Sequence, residues 1–423
     1  MTSSEHVEDS ANAVAPATET PRGTRQRLEH VDAMRPIKQT AVISTHALIY
    51  FSPLATSFAA ASMLTLTHFS RDAFLFVSAC MLAYSYRDSD GVAIGPYWKR
   101  RFVAVGSVYL VWTLIYFPLA AARGSTSFPY LRIPGSAVFS LSGLHTLLFN
   151  FATGYYHLYF LLVLLQFYLV FPYVFWCLKR YPNARLAVVA GALVWQIFYP
   201  IIVRRDWIGI IMSPKIETRL VISYPLYLLG GVVCAFYLEN FHDWIVRHRK
   251  GILASTVLVA VVPLVVDYLS DHGVKLSGTL VPGANPFAAL VIPYDVGAIL
   301  AVYLLGVYLV SPRRSARTRA ITASGSEAAY GIYVSQMVWI IVEQRWIAHY
   351  NLHQRVPWLA LTLAAVVVTY FLGWLFSALF ARTPLARPLV GRAQLPWRTL
   401  WPHPLTGSDE PDFGEGPLNL TDR

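Results

Sequence analysis

Between short islands of charge the chain runs for long distances without Asp, Glu, Lys or Arg: residues 39–70, 102–122, 133–178, 186–203, 220–238, 251–266 and 356–381. A helix of roughly 20 apolar residues crosses the hydrocarbon of a bilayer. Only 13% of the 423 residues are charged and 56% are hydrophobic, whereas a soluble domain carries about 25% charge. The expected fold class is an all-α polytopic membrane protein, and mean hydropathy of +0.47 agrees.

Charge islands used as punctuation place ten transmembrane helices near 36–53, 70–86, 102–122, 155–177, 186–203, 219–238, 251–268, 290–310, 327–345 and 357–381. With ten crossings both termini share one side. Of the 34 lysines and arginines, 24 fall on one alternate set of segments. The positive-inside rule makes that set, and both termini, cytoplasmic. The organisation expected is a polar, disordered cytoplasmic tail over 1–34, a ten-helix membrane domain over 35–382, and a Pro-rich, disordered cytoplasmic tail over 383–423. The first segment lacks an apolar core and does not read as a signal peptide. A net charge of +11 could suggest nucleic acid, but its distribution follows the membrane. Cys80, Cys177 and Cys234 all lie in apolar runs, where a thiol behaves as a small hydrophobe, and no metal-binding spacing is visible.

The first apolar run keeps an arginine, Arg35, and a histidine, His46. Eleven positions at 100° come within about 20° of three whole turns, so the two share a helix face roughly 16 Å apart along the axis. Gln39 and Val42 lie on the same stripe. A polar seam is expected from the cytoplasmic boundary to His46, about halfway across. Arg35 alone could be one more topogenic residue. Ionisable groups at membrane depth, however, tend to mark sites or relays.

Here the sequence resembles the acyltransferase 3 family of integral membrane O-acyltransferases, which opens with an aspartate, a nearby arginine and a histidine in the first span. Asp32, Arg35 and His46 match, with Pro36 where glycine is usual. Further segments are similar in order: FLFVSACMLAY (74–84), YWKRRF (97–102), YYHLYFLLVLLQFYLVFP (155–172) and YGIYVSQ (330–336), the last with Gln336 where histidine is common. The resemblance covers about residues 30 to 385.

The resemblance implies acyl-CoA as donor, in particular acetyl-CoA, and a hydroxyl acceptor on a carbohydrate, lipid-linked glycan or small metabolite. No metal is required. Acyl transfer needs a group to take the hydroxyl proton or carry the acyl group, and a positive site for an anionic donor. His46 suits the first role as a neutral imidazole, and Arg35 could anchor a phosphate. Lys99, Arg100 and Arg101 stand at the cytoplasmic mouth, either as donor-binding cations or as topogenic residues. Tyr156 and His157, at the outer end of the fourth span, could face the acceptor or belong to an interfacial aromatic belt. Gln166 could join them or bridge helices. Asp295, Glu327 and Glu343 lie near span ends and read as structural. The partners expected are acyl-CoA, the acceptor and membrane lipids, in a multi-pass protein of the cell membrane. The alternative is a secondary transporter or flippase that uses the Arg35–His46 seam.

Overall fold

The computed structural model describes residues 28–89, 91–123, 139–204, 217–277, 281, 285 and 287–397. Among them every regular element is helical. The helices are α1 (Glu29–Phe51), α2 (Phe58–Thr67), α3 (Phe69–Tyr86), α4 (Ile94–Arg101), α5 (Ser107–Arg123), α6 (Leu141–Thr153), α7 (Tyr159–Arg180) and α8 (Arg185–Arg204). They continue as α9 (Pro225–Phe236), α10 (Leu238–Arg247), α11 (Arg249–Asp271), α12 (Ile292–Val310), α13 (Ala316–His349), α14 (Leu352–Arg355), α15 (Trp358–Phe380) and α16 (Ala386–Val390).

Among the described residues six helices are long and apolar enough to cross a membrane: Ile94–Leu119, Tyr156–Arg180, Pro182–Val203, Arg249–Asp271, Ala289–Val310 and Trp358–Phe380. The other four expected spans fall on α1, α3, α9 and α13, which are shorter or carry charge. Part of the charge on these helices is turned inward, Lys38 on α1 and Asp72 on α3 being buried. Helix α1 packs against α3, α12, α13 and α15 and buries Lys38 and Gln39. Apolar α8 and α11 lie at the periphery, with large side chains such as Leu258 and Val194 outward.

Without a hydrophobic drive between helices in lipid, association depends on close packing and interhelical hydrogen bonds. Gly231 of α9 shows the first: a Cβ there would come within 2.3 Å of the Phe76 carbonyl oxygen on α3. Gly306 of α12 does the same for α1, where a Cβ would stand 2.3 Å from the His30 carbonyl oxygen. A hydrogen-bonded clamp closes the same end, where the Tyr303 hydroxyl lies 2.8 Å from His30 Nε2 and 2.8 Å from His242 Nδ1. This end also carries Arg35, Lys99 to Arg101 and Lys179, and is called the basic end below.

Three expectations need correction. The sixth span was placed over 219–238, but helix starts only at Pro225. A residue before proline avoids the α region, and proline suits the first helical position; Tyr224 has φ −131° and ψ 28°. Residues 218–224 thus form a stretch without α-helix, with a 3-10 turn at Val221–Ser223. Its backbone is held by Gln166, Trp195 and Gln196, which donate to the carbonyls of Arg219, Ile222 and Ser223. Non-helical backbone at membrane depth is tolerated only when protein buries it, and Glu217, Ser223 and Tyr224 are at most 1% exposed.

The second correction concerns the boundary of the C-terminal tail. The chain does not leave the fold after Arg382 but turns back through α16, where the Trp112 indole donates to the Leu389 carbonyl at 2.9 Å. Leu395 N–H donates to the Ala381 carbonyl at 2.7 Å. Prolines prevent a long helix there but not a packed return. Third, α1 begins at Glu29, seven residues before Pro36, so part of the expected N-terminal tail is helix. Residues 1–27 and 398–423 lie outside the described residues.

Candidate active site

Helix α1 carries His46 five residues before its end at Phe51, which puts the imidazole about 8 Å from the end of the helix opposite the basic one. The ring faces into the bundle, where its partner is His157, with ring centroids 6.0 Å apart and planes at 70°. Arg35 stays at the basic end, bound to Asp32 at 3.1 Å.

His157 is positioned by the turn that precedes α7. Gly154 takes φ +76°, a left-handed conformation suited to glycine, and a Cβ there would meet Tyr159 Cα at 2.5 Å. Tyr156 takes φ +45°, a strained backbone for a non-glycine residue, costing about 1–3 kcal/mol. The strain is held by packing. Tyr155 and Tyr156 contact each other with centroids 4.4 Å apart, Tyr333 donates to the His157 carbonyl at 2.5 Å, and Tyr116 donates to the Val334 carbonyl at 2.6 Å. The Tyr333 and Tyr116 rings stand edge-on to the His157 ring at 5.0 and 5.5 Å. His157 is 4% exposed, and both its ring nitrogens are buried without a hydrogen-bond partner among the described residues. A buried polar group in that state calls for an explanation, and a functional role is one.

From the basic end towards this pair the interior stays polar. Lys38 is 2% exposed with its ammonium 4.4 Å from the centroid of the Phe74 ring. Gln39 donates to Gln336 at 3.3 Å, and both amides are fully buried. The remaining atoms of that pair, Gln39 Oε1 and Gln336 Nε2, have no partner among the described residues. They offer one acceptor and one donor to the interior.

The three cations of the 97–102 segment part company. Lys99 is exposed, and Arg100 donates to the Tyr86 hydroxyl at 2.6 Å. Arg101 is 3% exposed, between the rings of Tyr97 and Tyr168 at 5.7 and 5.5 Å. Immediately after it the helix widens into a π-helical stretch, Phe102–Gly106, a distortion frequent at functional sites. Gln166 is not part of the arrangement. Its amide is spent on the stretch before α9, giving to the Arg219 carbonyl at 2.8 Å and taking from Val221 N–H at 3.0 Å.

Several residues near the histidine pair carried no sequence signal of their own. His68, at the α2–α3 junction, lies within electrostatic range of His46 and Arg71. Arg71 grips Asp72 with two hydrogen bonds, 3.1 and 3.2 Å, and lies over the rings of Phe287 and Tyr224. Asp72 contacts Asp295, to which Tyr227 donates at 3.1 Å. Asp295, in the first turn of α12 and so near a span end as expected, is 3% exposed and inside the bundle. The cluster lies deep in the protein, where unpaired charges are costly and paired ones persist. Among the described residues no group of three or more His, Cys, Asp or Glu is arranged to hold a metal ion.

A pair of imidazoles, the half-buried one of His46 on the first long helix and the buried one of His157 on the turn before α7, with buried polar side chains between them and a cationic end, is an arrangement suited to proton transfer and group transfer inside a membrane protein. Comparison with known proteins bears on this. No curated protein and no solved structure matches the chain. A family model described as an acyltransferase domain matches residues 29–378. That span takes in every helix from α1 through most of α15, and the chain belongs to the acyltransferase 3 family.

Proposed function

We propose that this membrane acyltransferase is an O-acyltransferase that moves an acyl group, in particular acetyl, from cytoplasmic acyl-CoA to a hydroxyl of a carbohydrate, lipid-linked glycan or small metabolite. The observation that carries the reading is the His46–His157 pair. One hydroxyl oxygen can lie within hydrogen-bond reach of a nitrogen on each ring at their 6.0 Å separation. His46 takes the proton of that hydroxyl as its oxygen attacks the thioester carbonyl carbon. The C–S bond breaks, and the proton passes to the departing thiolate. His157 holds the acceptor oxygen and fixes its direction of attack.

The donor is placed by charge and by amide contacts. Arg101 receives a phosphate, Arg35 with Asp32 fixes the mouth of the seam, and Gln39 Oε1 with Gln336 Nε2 bind the amides of the donor's extended arm. This requires the basic end to face the cytoplasm, with ten crossings and both termini inside, as the positive-inside rule predicts. The acceptor then arrives at the opposite end, where Tyr156 and His157 stand. A transporter or flippase is set aside, because the family is one of acyltransferases.

The test is release of free thiol from acetyl-CoA by membranes holding wild type or His46→Ala at equal amounts. The expected result is loss of thiol release in the variant. Retained turnover removes His46 from the mechanism, and acyl groups found on His46 after acid quench make it a carrier instead of a base. Labelled acetyl-CoA supplied with cell extract identifies the acceptor by the component that gains label.

A further inference from the structure

The return of the chain after α15 buries two arginines against α13 at the basic end. Arg392 is 4% exposed and Arg382 is 5% exposed. They share one carboxylate: Glu327 Oε2 stands 4.0 Å from Arg392 Nη1, and Glu327 acts electrostatically on Arg382 as well. At 4.0 Å the contact is at the edge of an ion pair and is not a hydrogen bond. Burial pushes the Arg392 guanidinium below its ordinary pKa, and the like charge of Arg382 pushes the same way, with Glu327 opposing. A cation held out of water in this state calls for an anion.

Polar atoms of this group are left without a protein partner among the described residues. Nε and Nη2 of Arg392, the two nitrogens that form one edge of the guanidinium fork, are buried without an acceptor among the described residues. That edge matches two oxygens of a phosphate or carboxylate. The Tyr330 hydroxyl is buried without a partner too. Its ring is held against the residue before Arg392, since a Cβ on Gly391 would come within 2.2 Å of it. Tyr168, which flanks Arg101, lies within electrostatic range of Tyr330.

We propose that Arg392, with Arg382 and the Tyr330 hydroxyl, forms a subsite for a phosphate group at the basic end. The phosphate comes either from the nucleotide of the acyl donor, a source that rests on the donor proposed above, or from an anionic lipid headgroup.

The experiment uses the full chain with two probes. Adenosine 3′,5′-bisphosphate is titrated into detergent-purified protein by calorimetry. Thermal stability is then compared in phosphatidylcholine nanodiscs with and without phosphatidylglycerol. Arg392→Gln is expected to weaken the response to one probe by about tenfold or more, as loss of charge-assisted hydrogen bonds does, and Arg392→Lys by less. Glu327→Gln, which removes the competing carboxylate, is expected to tighten the same response, an effect misfolding cannot imitate. A nucleotide response assigns the subsite to the donor, and a lipid response assigns it to the headgroup. The proposal is overturned if Arg392→Gln moves neither response or if Glu327→Gln does not tighten one. Thiol release from acetyl-CoA on the same preparations separates the two readings. Arg392-dependent binding without turnover sinks the donor reading and leaves the subsite, whereas turnover without Arg392-dependent binding does the reverse.

Discussion

If His46 and His157 act on one acceptor hydroxyl, their removal cannot be independent. A side chain acting as general base contributes about 10²–10⁴ in rate, or roughly 3–5 kcal/mol at 1.36 kcal/mol per decade. The perturbation is His46→Asn, His157→Asn and the double variant. The Tyr333 hydroxyl holds the His157 main-chain carbonyl and not its ring, so that anchor survives the substitution. Independent groups would give a double variant down by about 10⁴–10⁸, the product of the singles. Groups acting as a unit give a double variant no worse than the poorer single, which is a coupling energy of about 3–5 kcal/mol by the same conversion. The assay is the initial rate of thiol release from acetyl-CoA, normalised to membrane-inserted protein. Additivity within about 0.5 kcal/mol, or a His157→Asn variant with unchanged rate, refutes the paired mechanism.

Replacing Gln166 by Ala leaves the Val221 N–H and the Arg219 carbonyl without their side-chain partner. It is expected to cost about 1–3 kcal/mol, read as a lower melting temperature, with KM for the donor unchanged. Among the three cations of the basic segment, buried Arg101→Gln should raise KM for acetyl-CoA by about tenfold or more, while exposed Lys99→Gln should stay within about twofold. His30 lies outside the expected first span, and burial, with the neighbouring charge of His242, lowers its pKa from 6.5 to about 4. The unfolded chain then binds the extra proton between those values, so stability is full above pH 6.5 and falls as pH drops towards 4. Melting temperatures over that range should show the slope, and His30→Asn should flatten it.

Six of the expected spans were legible because charge is expelled from lipid-facing segments, and hydropathy records that directly. What a helix does with inward-turned charge is not recorded. Nothing in the hydropathy shows that α1, starting at Glu29, carries Lys38 inside against Phe74. The His46–His157 contact joins residues 111 positions apart, and an aromatic run beside a histidine reads equally as an interfacial belt. Spacing could not separate Lys99, Arg100 and Arg101, since burial and not order distinguishes them. Residues 383–397 were misjudged because proline content reports the absence of long helix, whereas their order comes from contacts with distant Trp112 and Ala381. The break at Tyr224–Pro225 had a signal in the proline itself, masked by an uninterrupted apolar run.

That break has a consequence for how the protein is made. The twelve residues of α9 reach about 18 Å, well short of a hydrocarbon layer of about 30 Å. The main chain before it has polar groups that depend on Gln166, Trp195 and Gln196, all on α7 and α8. Those helices are synthesised first. This short apolar segment is therefore a guest of its predecessors: its backbone is satisfied only once they have assembled beside it, and the order of the chain supplies its hosts in time.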